Sequence, residues 1–285
     1  LYVYRTLFLL FYLVFQARQD KSAWRNLQRF TPEQLKRWRA AWEPKDRAFH
    51  EADLSGRDLV RWKFQRYAKN YLRCIKGVDE GVGRLQQTLR ELDLEKNTIV
   101  IYCSDQGFYI GDHGWFDKRW MYEESLKMPF IVKWPGVSEA GSRDQHLVQN
   151  IDYAPTFLEI AGAAIPDDIQ GESLVPLLRG ESPGNWRTSI YYHYYEFPSV
   201  HMVPRHYGIR TERYKLMHFY QFGEEWELYD LKKDPDELTN IYNKARNAGL
   251  IEQLKDQLGG LQEFYQDDSD ISEKPAAWQR EQRGG

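Results

Sequence analysis

Apolar residues recur at alternating steps of three and four along one segment of this chain, and this pattern constrains its fold more than any other feature. The spacing puts the apolar side chains on one face, so it predicts a long amphipathic helix over residues 58–93. The run at 98–103, Thr-Ile-Val-Ile-Tyr-Cys, predicts a buried parallel strand. A helix followed by such a strand is half of an α/β unit. The apolar positions are Phe64, Tyr67, Tyr71, Ile75, Val78, Val82, Leu85, Leu89 and Leu92.

Glycines, caps and breakers indicate how the neighbouring elements are arranged. Gly77, Gly81 and Gly83 lower helix propensity, and we expect close packing against a sheet to be the reason for them. Four other segments predict local structure. The capping-box stretch Thr-Pro-Glu-Gln at 31–34 predicts the start of a short helix, and the charged stretch 43–57 predicts a loop. The run 130–134 predicts a strand, and Asp152 is predicted to cap a helix at 154–161.

The pattern changes beyond residue 184. Short apolar and aromatic runs follow one another at hairpin-like spacing, which predicts an antiparallel sheet and then a helix with one apolar face. We therefore predict an α/β domain at 21–184, a small α+β domain at 185–267 and a disordered polar tail at 268–285. The predicted strands are 190–195, 207–210, 214–219 and 226–230, and the helix carries Ile251, Leu254, Leu258 and Leu261 on one face.

Charge and cysteine content narrow the class of protein. A formal net charge of −3 on 285 residues provides no global field for nucleic acid or membrane surfaces. The apolar stretch 1–15 is short for a membrane span, so we predict none and treat residues 1–20 as a truncation edge or as sequence unrelated to the fold. Cys74 and Cys103 provide no disulfide framework and are predicted to be buried.

Polar residues follow the predicted central strand. Asp105 and Gln106 offer two adjacent hard oxygens, the kind of ligand that Ca²⁺ prefers. Cations follow them in the stretch 117–119, Asp-Lys-Arg, and this order indicates a metal site that also holds an anionic substrate. An aspartate after a strand is also a common turn or cap residue, so these two residues leave that alternative open.

The wider stretch resembles the type I sulfatase family of the alkaline phosphatase superfamily, over roughly residues 30–265. The resemblance implies the carboxy-terminal portion of a sulfatase-type mixed sheet flanked by helices, followed by the small α+β domain. The motifs that carry it are Ser104-Asp105-Gln106-Gly107-Phe108, Gly111-Asp112-His113-Gly114, Met121-Tyr122-Glu123-Glu124-Ser125, Trp134-Pro135-Gly136, Asp152-Tyr153-Ala154-Pro155-Thr156, Gly171-Glu172-Ser173-Leu174, Gly208-Ile209-Arg210-Thr211 and Glu227-Leu228-Tyr229-Asp230-Leu231.

The resemblance also implies roles for individual residues. Sulfatases use Ca²⁺, a formylglycine made from Cys or Ser, and several basic residues, so Asp105 and Gln106 match two metal ligands. Lys118 matches the lysine that contacts the sulfate. His113 lies in a glycine-flanked stretch where its ring is expected to project freely into a cleft, to bind the sugar or assist the leaving group.

The second domain contributes a group of basic and aromatic residues. His201, Arg205 and His206 suit an anionic sugar and are predicted to bind substrate, since 205–208 resembles a cleft-closing stretch of N-acetylglucosamine-6-sulfatase-like enzymes. A sheet edge with mixed polar residues explains them equally well. By family resemblance, we also expect the protein to be periplasmic or extracellular.

One part of the family pattern is absent from the sequence. No Cys or Ser is followed by X-Pro-X-Arg, the formylglycine motif, and the paired aspartates that complete the metal shell have no counterpart. We therefore predict a sulfatase fragment with a partial Ca²⁺ site, inactive alone, whose partner is the missing amino-terminal half. One alternative is a non-catalytic protein that binds sulfated glycans. Another, phosphate-ester or phosphonate hydrolysis at a zinc site, is disfavoured by the Asp105–Gln106 pair with Lys118.

Overall fold

The computed structural model describes residues 27–197, 199 and 201–268. The predictions for residues 1–20 and for the tail from 269 onward lie outside this part of the chain. Within the described residues, the fold divides into two compact units, one that extends to residue 79 and one that begins at residue 80. The predicted domain boundary near residue 184 stays a prediction.

The first unit contains helix α1, Pro32–Glu51, and the start of helix α2, Gly56–Glu91. Thr31 and Gln34 form the predicted capping box. The loop predicted at 43–57 is wrong, because α1 continues through Pro44 to Glu51. Its charged residues lie on exposed helix faces, a pattern that composition alone does not distinguish from a loop.

Helix α2 confirms the long helix that the spacing predicts, but none of its residues is buried. Phe64, Ile75 and Leu85 on its apolar face are 47%, 47% and 53% exposed. A Cβ added at Gly77 or Gly83 would have no neighbour within 4 Å, so the close packing expected at these glycines is not present in the described structure.

Strand β1, Val100–Cys103, pairs antiparallel with a second strand, Phe130–Lys133. The predictions of parallel pairing and of burial are therefore wrong for this strand, since Tyr102 and Cys103 are exposed. Cys74 is exposed as well, contrary to expectation. The local sequence determines that a strand forms. Its pairing direction and its burial depend on the segments that pack against it.

The segment between these two strands carries the site. It contains the hairpin strands β2 and β3 and the short helix α3. The strand that pairs with β1 comes after them and is labelled β4. Their bounds are β2 Tyr109–Ile110, β3 Phe116–Asp117, α3 Glu123–Leu126 and β4 Phe130–Lys133.

Two further helices follow, α4 (Tyr153–Ile160) and α5 (Val175–Leu178). Asp152 precedes α4 as predicted, but its side chain does not cap that helix. The carboxylate is fully buried, where it accepts the Glu172 backbone N–H at 2.9 Å and pairs with Arg187. Asp152 thus joins α4 to later segments instead of capping it.

The predicted four-stranded antiparallel sheet is confirmed, with strand order β5-β6-β7-β8. Helix α6, Ala248–Phe264, packs its buried Leu254 and Leu258 against Ile209 and Leu216 of this sheet. None of the helices in the described ranges is both long and apolar enough to cross a membrane. The strands are β5 Ser189–Tyr194, β6 His206–Thr211, β7 Tyr214–Phe219 and β8 Glu225–Asp230.

Candidate functional site

The loop at the end of β3 has unusual backbone geometry. Asp117 and Arg119 have φ angles of 78° and 95°, which L-residues other than glycine rarely adopt. Lys118 lies between them, with its Nζ 3.8 Å from an Asp117 carboxylate oxygen. Strained backbone persists only where the surroundings hold it, and such positions cluster at functional sites.

Asp117 and Arg119 meet His201, which lies between β5 and β6. The Arg119 guanidinium is 2.5 Å from Asp117 Oδ2 and 2.7 Å from His201 Nε2. Burial and the nearby Arg119 charge lower the pKa of His201, although Asp117 opposes them. The imidazole is therefore neutral at pH 7 and accepts through Nε2, since Arg119 can only donate. With Lys118, the cluster carries two positive charges and one negative, a surplus suited to an anion.

Asp105 and Gln106 lie in the turn after β1. The Ser104 hydroxyl bonds the Gln106 backbone oxygen at 2.9 Å, and the Asp105 residue is exposed. Calcium takes six to eight oxygen ligands. The structure shows no group of three or more His, Cys, Asp or Glu residues that could hold a metal within the ranges it describes. These oxygens have the right chemistry, but they do not complete a calcium site by themselves.

His113 occupies a left-handed position (φ 53°) after β2, and its ring is not free as expected. The ring stacks on Tyr122 with centroids 4.4 Å apart, and its side chain is 11% exposed. Its Nε2 lies 3.4 Å from a Glu124 carboxylate oxygen. Burial disfavours the charged ring, but the Glu124 carboxylate outweighs burial and raises the pKa of His113. The residue is thus a packed imidazole that is paired with Glu124.

Arg205 and His206 each bond a residue outside the Lys118 loop. His206 is fully buried, with its Nδ1 2.8 Å from the Pro204 carbonyl oxygen and its ring stacked on Trp120. This position does not support direct contact with a substrate. Arg205 donates to Gln221 at 2.7 Å. Of the three predicted substrate-binding residues, His201 alone is shown beside the Lys118 loop.

Strand β5, which carries Tyr191, Tyr192 and His193, is an edge strand of the sheet. His193 is buried and bonds Asp267 at 2.6 Å and Tyr220 at 2.7 Å. Tyr192 points to the opposite face, as alternate strand residues do, and donates its hydroxyl to the Arg119 carbonyl oxygen at 2.6 Å. Sequence reasoning missed Asp117 and Arg119 as site residues, although both flank the predicted Lys118.

The chain is similar in sequence to known proteins. A model of the sulfatase family matches residues 16–163, and a model of the carboxy-terminal region of N-sulphoglucosamine sulphohydrolase matches residues 111–264. An N-acetylglucosamine-6-O-sulfatase of Bacteroides thetaiotaomicron is 46% identical over 249 residues, which are 87% of this chain and 44% of that protein. An arylsulfatase of Clostridium perfringens is 34% identical, over 69% of this chain and 41% of that protein.

A solved structure also matches closely. BT4656 in complex with its substrate D-glucosamine-2-N,6-O-disulfate superimposes with a TM-score of 0.82 at 44% identity, over 87% of this chain and 51% of that one. A phosphonate monoester hydrolase of Agrobacterium radiobacter gives a TM-score of 0.60 at 28% identity, over 67% of this chain and 40% of that one. The chain spans less than half the length of the N-acetylglucosamine-6-O-sulfatase and of the arylsulfatase.

Proposed function

This chain belongs to the sulfatase family, and we propose that it forms the carboxy-terminal part of an enzyme that hydrolyses sulfate esters of carbohydrates. The observation that carries the proposal is that the positive charges of Lys118 and Arg119 exceed the single negative charge of Asp117. A sulfate monoester presents anionic oxygens, which an ammonium and a guanidinium bind by charge-assisted hydrogen bonds.

Each group has a separate task in this proposal. The Lys118 ammonium neutralises charge on the sulfate oxygens, which favours the transition state where that charge increases. The Asp117 carboxylate is held by Arg119 and accepts from a sugar hydroxyl. His113, whose pKa the Glu124 carboxylate raises, assists departure of the leaving group. We further propose that Asp105 and Gln106 supply two oxygens to a calcium ion, which would stabilise negative charge on the sulfate.

The relatives indicate the class of sugar. The first is named for N-acetylglucosamine 6-O-sulfate, and the matching structure holds a disulfated glucosamine. We propose N-acetylglucosamine 6-sulfate, a unit of sulfated glycosaminoglycans, as the substrate. Export to the periplasm or the cell exterior is a further proposal that rests on the family alone.

The chain itself should not turn over substrate, because its sequence has no formylglycine motif. We propose that the nucleophile comes from the amino-terminal half of the sulfatase domain. A sulfated-glycan-binding protein without catalysis is the second candidate, favoured by the same missing motif. Adding the amino-terminal portion of the B. thetaiotaomicron relative distinguishes the two, since only the enzyme proposal expects turnover of an aryl sulfate to appear.

Binding to the chain alone provides the direct test. We expect isothermal titration calorimetry to detect N-acetylglucosamine 6-sulfate but not N-acetylglucosamine, and Lys118→Ala to weaken binding at least fivefold. Lys127→Ala is the matched control, because the Lys127 side chain is 79% exposed and bonds no group of the cluster. Equal binding of the two sugars, or turnover of an aryl sulfate by the chain alone, would refute the proposal.

A further inference from the structure

We propose that Ser125 is the positioning residue that joins the two halves of this site, a role that rests on the proposed function. Ser125 lies in the short helix α3 and is only 5% exposed. Its hydroxyl and its backbone carbonyl bond two different loops. One loop carries the cations, and the other carries the oxygen pair.

The hydroxyl holds the cationic loop. Ser125 Oγ accepts the backbone N–H of Arg119 at 2.9 Å. The carbonyl of the same Arg119 accepts the Tyr192 hydroxyl at 2.6 Å, so the strained residue at φ 95° is fixed on both sides. Because Lys118 directly precedes it, these bonds also set the direction in which the Lys118 side chain leaves the backbone.

The carbonyl holds the turn with the oxygen pair. Ser125 O accepts the backbone N–H of Gly107 at 2.8 Å. This approach requires glycine, because a Cβ at Gly107 would lie 2.0 Å from the Glu124 carbonyl oxygen and 2.5 Å from that of Lys127. Asp105 and Gln106 are the two residues before Gly107, so α3 determines how far this turn lies from the cationic loop.

Helix α3 is itself fixed by Glu237, a residue that follows strand β8. The Glu237 carboxylate accepts the backbone N–H of Glu123 at 2.7 Å, at the first turn of the helix. Glu237 is buried and pairs with Lys215, whose Nζ lies 2.8 Å away. Ser125 therefore stands on a rigid support, as a residue that sets the geometry of others needs to do.

The test removes the hydroxyl and keeps the carbonyl. We expect Ser125→Ala to weaken binding of N-acetylglucosamine 6-sulfate at least fivefold, and to speed hydrogen exchange of the Arg119 amide at least tenfold in residue-resolved NMR. Thr156→Val is the matched control. Thr156 Oγ1 is buried and accepts the Leu174 backbone N–H at 2.8 Å, far along the chain from both loops. It should lower the melting temperature while leaving sugar affinity and Arg119 exchange unchanged.

Each outcome decides the proposal. If the wild-type chain binds the sugar and Ser125→Ala binds it equally well, Ser125 is not a positioning residue. If the wild-type chain does not bind the sugar, the proposed function fails and the role of Ser125 fails with it. If the wild-type chain binds but Ser125→Ala leaves the Arg119 exchange rate unchanged, the role of Ser125 alone is overturned. Should the alanine variant unfold, Ser125→Cys keeps the side-chain volume with a weak acceptor, and we expect the same losses.

Discussion

Lys215 of strand β7 is buried between two carboxylates, and its removal is the strongest test of how α3 is held. Its Nζ lies 2.9 Å from Glu123 Oε1 and 2.8 Å from Glu237 Oε1, and the side chain is fully inaccessible. The change Lys215→Met keeps the length and approximate volume of the side chain. It leaves two carboxylates in the interior without their shared ammonium group.

The size of the effect follows from burial. Removing one partner of a buried ion pair costs about 3–5 kcal/mol of unfolding free energy, because the remaining charge is left without compensation. Two features place this case near the lower end. Arg210 still pairs with Glu123 at 3.1 Å. Burial already raises the pKa of Glu237 despite the opposing effect of Lys215, so Glu237 takes up a proton more readily once Lys215 is gone. We expect a loss of about 3 kcal/mol.

Urea unfolding followed by tryptophan fluorescence at pH 7 measures this loss. Lys127→Met is the control, because Lys127 also pairs with Glu123, at 3.9 Å, but its side chain is 79% exposed. An exposed pair of this kind contributes about 0–1 kcal/mol. The double change with Glu237→Gln should recover part of the loss, with a coupling energy of about 0.5–3 kcal/mol. If Lys215→Met costs no more than Lys127→Met, the reasoning about the buried cluster is wrong.

Two other buried groups give predictions of stability. Burial lowers the pKa of His206 from 6.5 to about 4, so the unfolded chain takes up a proton first and stability falls as pH drops from 6.5 to about 4. The loss is about 3 kcal/mol at ~1.4 kcal/mol per pH unit. Urea unfolding across this range should show a flatter profile for His206→Phe, and an identical slope would contradict the assignment. Asp152→Ala leaves Arg187 unpaired and should cost about 3–5 kcal/mol. The exposed Asp58→Ala should cost less than about 1 kcal/mol, and equal losses would refute the role of burial.

Local pattern was sufficient for most of the elements. The spacing of apolar residues predicted α2, and alternation with turn residues predicted β5 to β8 and α6, because each signal lies within one short segment. The same argument explains the error at 43–57. A high content of charged residues indicates that a segment faces water, which is true both of a loop and of an exposed helix. The motifs around Asp105 and Lys118 were likewise sufficient for the family.

The sequence did not predict which segments and side chains contact one another in the fold. The antiparallel pairing of β1 with β4 and the burial of His206 depend on distant segments. The packing of His113 on Tyr122 depends on how the loop between them folds. Arg119 and His201 bond each other across 82 positions of the chain. The sequence alone determined which residues prefer helix, strand or turn, and which family they belong to, because those preferences are local or shared among relatives. Only the tertiary structure decided which charges meet and which side chains are covered, because those depend on the neighbours that the fold brings together.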